Sequence, residues 1–319
     1  MKLLSLATCS VIVPLMIGSA AAQTISIATT PAGSYTNSAG AAMAKVIDSK
    51  TKLHALIQAQ AQQGQHPVDA GDTDFGISNS FDITFFVTGT GEYKAQGPHH
   101  NIRLIASLIP FRVAMHVRKD SDIKTLKDLK GKRLSGGFNA QKTIKRIISA
   151  HLANAGLSYK DVSVVLTPNV RTSANDFIAG KTDSLFFAVG SAVVKQAAAK
   201  VGGLRVLPVD TSPAALKRTE AILPGAYVMK VKPAPNLDGI TKPTNLVAFD
   251  MTFFCNPKVS DEVAYEVAKA LHDGKAELAK AFKPFRLLDP SKMAKPVKGV
   301  QFHPGAIKYY REIGLMPKS

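Results

Sequence analysis

The sequence predicts an α/β protein built from two similar lobes. Three observations support this prediction. Strand-like and helix-like patterns alternate along the chain. A helix–glycine–strand unit occurs twice, once in each half. The 319-residue length suits two domains of roughly 150 residues each.

The first 22 residues have the pattern of a secretory signal peptide. Lys2 precedes the mostly apolar run Leu3–Ile17, and small residues follow up to Gln23. The run is shorter than the ~20 residues of a membrane span, so we expect cleavage before Gln23 rather than an uncleaved anchor. Because Cys9 is lost with this leader, the mature chain keeps Cys255 and forms no intrachain disulfide. We therefore expect a periplasmic protein.

The predicted elements begin with a β-branched strand, Ile25–Thr29, followed by the loop Thr30–Tyr35 and a helix over Ala39–Ile47. A later helix, Asp261–Leu271, has Ser260 as its N-cap and an apolar face. A last helix begins at Pro304 and ends at Gly314. Further strands are predicted around Leu104–Leu108, Val113–Val117, Val162–Leu166, Leu185–Val189, Leu204–Val209 and Leu246–Phe254.

The repeated unit occupies Val68–Ile77 and Phe177–Phe186. Each copy has a helix end, a glycine, a Thr-Asp turn and an apolar strand. Coincidence between two ordinary helix-to-strand turns is one interpretation, because glycine commonly ends helices. Two similar α/β lobes are the other interpretation.

Ligands of parallel α/β sheets bind where loops leave the carboxyl ends of strands. Four loops follow predicted strands in this way, and they are Thr30–Tyr35, Ser78–Ser80, Ser135–Thr143 and Gly190–Ser191. Within the third loop, Gln141 replaces a glycine that a nucleotide phosphate loop requires, so an NTPase is not expected. The helix that starts at Gln141 either binds an anion such as a carboxylate or is an ordinary helix capped by Asn139.

The sequence has few motifs that would indicate catalysis or metal binding. No His-Glu-x-x-His motif occurs, and Gly76–Ser80 lacks the final glycine of a serine-hydrolase elbow. We therefore expect no enzyme, no metal and no cofactor. The formal charge of +17 comes from basic residues that are spread along the chain without forming a stripe. Nucleic-acid binding is not expected; the charge either forms a solvated surface or favours anionic partners.

Several segments resemble the TAXI family, the extracytoplasmic solute receptors of TRAP transporters. Thr29–Tyr35 resembles its glycine-rich first loop. Ala70–Gly91 resembles the family's Gly-x-x-Asp-Leu-Gly segment, its Gln-Ser-Asp turn, which here reads Asn79-Ser80-Phe81, and its Gly-Thr-Gly exit. Ile222–Tyr227 and Phe302–Glu312 resemble two later family segments. The chain departs from the family pattern in the cleft, at Thr36, at Ala59-Gln60-Ala61 and at Asn139–Thr143.

The resemblance implies a two-lobed type II periplasmic-binding-protein fold with a ligand cleft between the lobes. We place lobe I at residues 23–113 plus 246–319 and lobe II at residues 114–245. The implied protein is a monomeric periplasmic receptor that captures a small anionic metabolite, a carboxylate, by hinge closure and presents it to the membrane subunits of a TRAP transporter. The alternative is a ligand-sensing partner of a membrane signalling protein.

Within this fold, Arg112 is the preferred carboxylate partner because guanidinium offers two parallel donors; pairing with a structural Asp is the alternative. Tyr35 either covers the ligand or is a core residue. The full set of candidate ligand-binding residues is Gly33, Ser34, Tyr35, Asn79, Ser80, Arg112, Asn139, Ala140, Gln141, Lys142, Thr143, Gly190 and Ser191.

Overall fold

A computed structural model describes residues 23–60, 64–139 and 141–318 of the chain. The predicted signal peptide and Ala140 lie outside the described residues. The strands are β1 (Gln23–Thr29), β2 (Leu53–Ala59), β3 (Phe75–Asn79), β4 (Arg103–Arg118), β5 (Arg133–Gly137), β6 (Ser163–Thr167), β7 (Leu185–Ala188), β8 (Leu204–Val206), β9 (Tyr227–Val231) and β10 (Thr244–Cys255).

Between and after these strands the described part of the chain forms ten α-helices. They are α1 (Tyr35–Lys50), α2 (Gln65–Ala70), α3 (Ser80–Thr88), α4 (Lys142–Asn154), α5 (Val170–Ile178), α6 (Ala192–Lys200), α7 (Pro213–Ile222), α8 (Asp261–Asp273), α9 (Lys275–Ala281) and α10 (Pro304–Glu312). None of the described helices is both long and apolar enough to cross a membrane.

Eight strands form the main sheet, in the order β2-β1-β3-β10-β4-β7, with β8 paired to β4 and β9 paired to β10. Strands β1, β2 and β3 are parallel, whereas β10 runs antiparallel to both β3 and β4. Strands β5 and β6 form a separate parallel pair. The ends of β1, β3, β5 and β7 therefore lead into the four loops that the sequence singled out.

Two long strands run through the middle of this sheet. The sequence predicted separate strands around 104–108 and 113–117, but they are one strand, β4, which passes through Pro110. Proline has no N–H to donate, and its partner Asp250 lies where a register shift interrupts the ladder. The predicted lobe boundaries at 113 and 245 fall in β4 and β10, so these strands would carry both crossings.

The repeated unit has one geometry in both copies. Gly71 follows α2 and Gly180 follows the end of α5, with φ of 85° and 75°, a conformation that side chains with a Cβ rarely adopt. Each glycine leads into a buried strand, β3 or β7. The α8 prediction is also confirmed, since Ser260 caps this helix and Val263, Val267 and Leu271 are buried on one face.

Candidate functional site

A cavity of about 90 Å³ lies between α1 and α3 on one side and α4 and α5 on the other. Its polar wall comes from Thr30, Ser34, Thr36, Ser78, Asn79 and Gln141. Its apolar wall comes from Tyr35, Phe111, Val113, Ile144, Ile147, Val170, Phe186, Phe187 and Ala188. No charged side chain is among these lining residues.

Three hydroxyl groups form one edge of the cavity. The Thr30 hydroxyl lies 2.8 Å from that of Ser34 and 2.5 Å from that of Thr36. Ser34 is the N-cap of α1, and its oxygen accepts the N–H of Asn37 at 3.1 Å. The cap fixes the loop, so the hydroxyls sit at the start of the helix as a preformed group of donors.

Asn79 lies at the end of β3 and occupies the N-cap position of α3 without a capping side-chain hydrogen bond. Its backbone is extended. Because Asn79 lines the cavity, its amide is available to a ligand as both donor and acceptor. The neighbouring Ser78 hydroxyl donates to the buried Asp82 carboxylate at 3.4 Å.

Gln141 presents an amide donor from the opposite side. Its Oε1 accepts the backbone N–H of Val170 at 3.0 Å, so the hydrogen bond identifies which end of the amide is oxygen. The Nε2 group has no hydrogen-bond partner in the described part of the chain, and the residue lines the cavity. Gln141, and not the predicted Asn139, is the N-cap of α4; Asn139 is exposed.

Three helices begin at this cavity, with Ser34, Asn79 and Gln141 as their N-caps. The first turns of helices have free N–H groups and a positive dipole end. Neither α1 nor α4 carries an acidic residue in its first turn, whereas α3 carries Asp82, which is buried and accepts hydrogen bonds from Gln65 and Tyr93. The cavity therefore favours negative charge through neutral donors and helix ends.

Tyr35 separates the polar and apolar walls. Its ring meets Phe111 edge-on at 4.8 Å and Phe282 at 4.9 Å between centroids, and the side chain is buried. Burial raises the pKa of Tyr35 far above its usual value, despite the nearby Arg112 charge. The phenol therefore stays protonated and remains a hydrogen-bond donor.

Arg112 does not line this cavity. Its neighbours on β4, Phe111 and Val113, line the cavity, and successive side chains of a strand point to opposite faces. Burial lowers the pKa of Arg112, against the raising effect of Tyr35. In the described residues no carboxylate pairs with Arg112, so the alternative of a structural Asp partner is not seen either.

The remaining candidates are distributed around the cleft. Gly33, Gly190 and Ser191 line a neighbouring cavity together with Ser34 and Tyr35. Ser80 lines another one beside α3. Lys142 and Thr143, in the first turn of α4, do not line the first cavity. Ala140 lies outside the described residues.

Sequence reasoning did not name Thr30, Thr36 or Ser78 as site residues, and of the apolar wall it named only Tyr35. Thr36 follows the loop that was singled out, so a window one residue longer would have included it. The apolar wall comes from separate segments, among them Phe111, Ile144 and Phe186. In sequence these are ordinary core residues, and no local pattern marks them as lining a cavity.

Residues 27–314 match the NMT1-like family, and the chain belongs to that family. The solved structures place it in the same fold class as periplasmic substrate-binding proteins. A putative periplasmic sulfonate-binding protein SsuA of a sulfonate ABC transporter, from Methylobacillus flagellatus KT, is 14% identical with a TM-score of 0.52. The match covers 94% of this chain and 98% of that one.

PhnD1 from Prochlorococcus marinus (MIT 9301), solved in complex with methylphosphonate, is 10% identical with a TM-score of 0.55. That match covers 92% of this chain and 99% of that one. At such identities the similarity shows the fold, and the predicted two-lobed α/β fold is confirmed. The neighbours are substrate-binding proteins and not enzymes.

Proposed function

We propose that this protein is a periplasmic solute-binding receptor that closes on a small organic anion and delivers it to a membrane transporter. The observation that carries the proposal is the cavity between α1, α3, α4 and α5, which combines an uncharged polar wall, three helix starts and an apolar wall. No bond is made or broken in this function.

The walls favour a ligand with an oxyanion head attached to a short apolar body. Hydroxyls of Thr30 and Thr36 and the amides of Asn79 and Gln141 would hold the head with the help of the helix ends. Phe111, on the apolar wall, would pack against the body. One water needs about 10–15 Å³ of such volume, so about 90 Å³ corresponds to a ligand of only a few groups.

The head group we propose is a carboxylate. A sulfonate or phosphonate of equal size presents the same kind of oxygen acceptors, and the two structural neighbours are described with sulfonate and methylphosphonate. A head with three oxygens is bulkier than a carboxylate. A ligand series that keeps the apolar body constant and changes only the head group therefore shows whether the protein prefers a carboxylate, a sulfonate or a phosphonate.

Ligand-driven closure of the two lobes is expected because the two walls of the cavity belong mainly to different proposed lobes. The polar wall belongs mainly to the proposed lobe I, and α4, α5 and β7 of the proposed lobe II supply most of the apolar wall. A ligand that contacts both walls is bound more tightly when the lobes meet, so it shifts the population towards the closed form. A transporter can then distinguish the loaded receptor by its shape.

For the membrane partner we propose TRAP subunits, on the strength of the resemblance in Thr29–Tyr35 and Phe302–Glu312. An ABC permease is the competing partner, since a structural neighbour belongs to a sulfonate ABC transporter. Uptake of the identified ligand into proteoliposomes distinguishes them. TRAP-type uptake depends on an ion gradient, whereas ABC-type uptake depends on internal ATP.

The proposal is tested by thermal unfolding of refolded, ligand-free mature protein with acetate, propionate, benzoate and the matching sulfonates and phosphonates. A ligand at 100 times its Kd adds about 2.7 kcal/mol, a Tm rise of roughly 5–10 °C at this size. The neutral amide of each acid serves as control. If amides stabilise as strongly as acids, or if nothing in the series stabilises the protein, the proposed function is refuted.

A variant assigns the effect to the cavity. Thr30→Val removes one hydroxyl from the polar wall and should abolish most of the ligand-induced Tm rise. Thr244→Val is a matched control, because Thr244 is as deeply buried as Thr30, at 7% and 8% exposed, and lies outside the cavity. Equal responses of both variants would place the ligand elsewhere.

A further inference from the structure

A second cavity, of about 610 Å³, lies beside the first, and we name it the vestibule. It is bounded by the start of α1, the start of α6 and the segment that follows α9. Ser34 and Tyr35 line both cavities. The vestibule therefore adjoins the proposed ligand cavity but has a much larger volume.

The side-chain charges in the vestibule all have one sign. Lys195, Lys283 and Arg286 line it, and no Asp or Glu is among its lining residues. Within the described residues none of the three makes an ion pair, whereas other cations such as Lys295 and Arg133 pair with carboxylates. The vestibule thus concentrates positive charge that nothing nearby neutralises.

Two helix starts add to this charge. Helices α1 and α6 begin here, with Ser34 and Ser191 as N-caps, and neither has an acidic residue in its first turn. Lys195 follows closely in α6, where a positive charge is unfavourable next to the positive end of the helix dipole. The mutual repulsion of these groups is relieved when an anion binds among them.

An unused donor points to the same place. Tyr35 is only 7% exposed, and in the described part of the chain its hydroxyl has no hydrogen-bond partner. Burial raises the pKa of Tyr35 well above its usual value, so the hydroxyl keeps its proton. Tyr35 lines the vestibule, so its hydroxyl can donate a hydrogen bond to an anion bound there.

From the cavity, the unpaired cations, the helix starts and the phenol we infer that the vestibule is a second anion site, which lies beside the first cavity and shares Ser34 and Tyr35 with it. Its ligand class is a multiply charged oxyanion of the phosphate type, because a single carboxylate cannot satisfy three cations and two helix starts. The inference goes beyond the proposed function, since a one-headed organic acid needs only the first cavity.

Pyrophosphate is the probe, and its binding to the mature protein is followed by isothermal titration at low and high salt. We expect saturable 1:1 binding to the wild type. In the triple variant Lys195→Gln, Lys283→Gln, Arg286→Gln we expect affinity to fall roughly tenfold, since exposed charges each contribute up to about 1 kcal/mol. The salt dependence of the affinity should also become shallower.

A control variant corrects for the overall positive charge. Lys258→Gln, Lys308→Gln, Arg311→Gln removes the same charge from exposed positions outside the vestibule and should bind pyrophosphate like the wild type. Equal losses in both triple variants, or no saturable binding up to about 10 mM, would overturn the inference. Neither result bears on the organic-acid series, which reports on the first cavity.

Discussion

Replacing Arg146 by methionine removes an ion pair that joins α4 to the segment between α3 and β4. The Arg146 Nε lies 2.6 Å from Glu92 Oε1, and the two side chains are 26% and 16% exposed. The guanidinium also covers the Phe85 ring, with Cζ 4.8 Å from its centroid, and donates to the Ile222 carbonyl at 3.1 Å. The contacts with Glu92 and Phe85 connect the two proposed lobes, whereas the one with Ile222 lies within proposed lobe II.

The size of the effect follows from these contacts. A hydrogen bond between charged groups contributes about 1.5–3 kcal/mol, and the cation–π contact with Phe85 adds about 0.5–1 kcal/mol. Methionine keeps the aliphatic packing and loses both. The closed form should therefore lose about 2–4 kcal/mol relative to the open form, a change of roughly 30- to 900-fold in the ratio of the two.

Small-angle X-ray scattering at a ligand concentration that just closes the wild type measures this shift, and we expect a larger radius of gyration for Arg146→Met than for the wild type. Apparent ligand affinity should fall by at most the same factor, because only the closing-competent population binds tightly. Arg218→Met is the matched control: Arg218 donates to the carbonyls of Ala153 and Asn154 at 2.7 and 2.6 Å, within one proposed lobe. Indistinguishable scattering from the two variants would refute a role for Arg146 in closure.

Three further predictions concern single residues. Gln141→Glu keeps the acceptor for the Val170 N–H but replaces the amide donor by a negative oxygen, so titration should show anion affinity at least tenfold weaker at unchanged Tm; undiminished affinity would exclude Gln141 from the site. Burial raises the pKa of Asp82 to about 6, above its unfolded value, so the folded state binds the extra proton and stability falls as pH rises from 4 to 6, by roughly 3 kcal/mol. Urea unfolding across this range should show the fall in the wild type and not in Asp82→Asn; parallel curves would contradict the assignment. Burial also raises the pKa of Cys255, so a thiol reagent should modify it only after unfolding, and immediate reaction of the native protein would show that it is accessible.

The loops that line the cavity could be predicted because each of them follows a predicted strand and precedes a helix in the sequence. A loop that leaves a strand and enters a helix must lie at the carboxyl edge of a parallel sheet, so Ser34, Asn79 and Gln141 could be placed near one another without coordinates. The face of β4 could not be predicted in this way. Its side chains are mostly apolar on both faces, with only Ser107, Arg112 and His116 polar between Leu104 and Val117, so the alternation that normally identifies the inner face is missing.

The same limitation explains the error over Pro110. A proline usually indicates a break between strands, yet β4 continues through it because the β10 ladder shifts register next to its partner. That shift depends on two strands far apart in sequence. Arg112 lies on the face of β4 opposite to Phe111 and Val113, which line the cavity, and its contact with a carboxylate ligand stays a prediction.

The division of the cavity into two walls has a consequence for how selectivity arises. The hydroxyls of Thr30 and Thr36 lie on the α1 side, whereas Ile144 and Phe186 lie on the other. An inorganic anion can bind to the hydroxyls and to the Asn79 and Gln141 amides, but it leaves the apolar wall without a contact and so gains less from closure. An apolar solute can use the second wall alone and leaves the hydroxyls and amides without acceptors, which is costly once water is excluded. A solute that carries both features satisfies both walls at once, so closure itself selects for an acid with an apolar body.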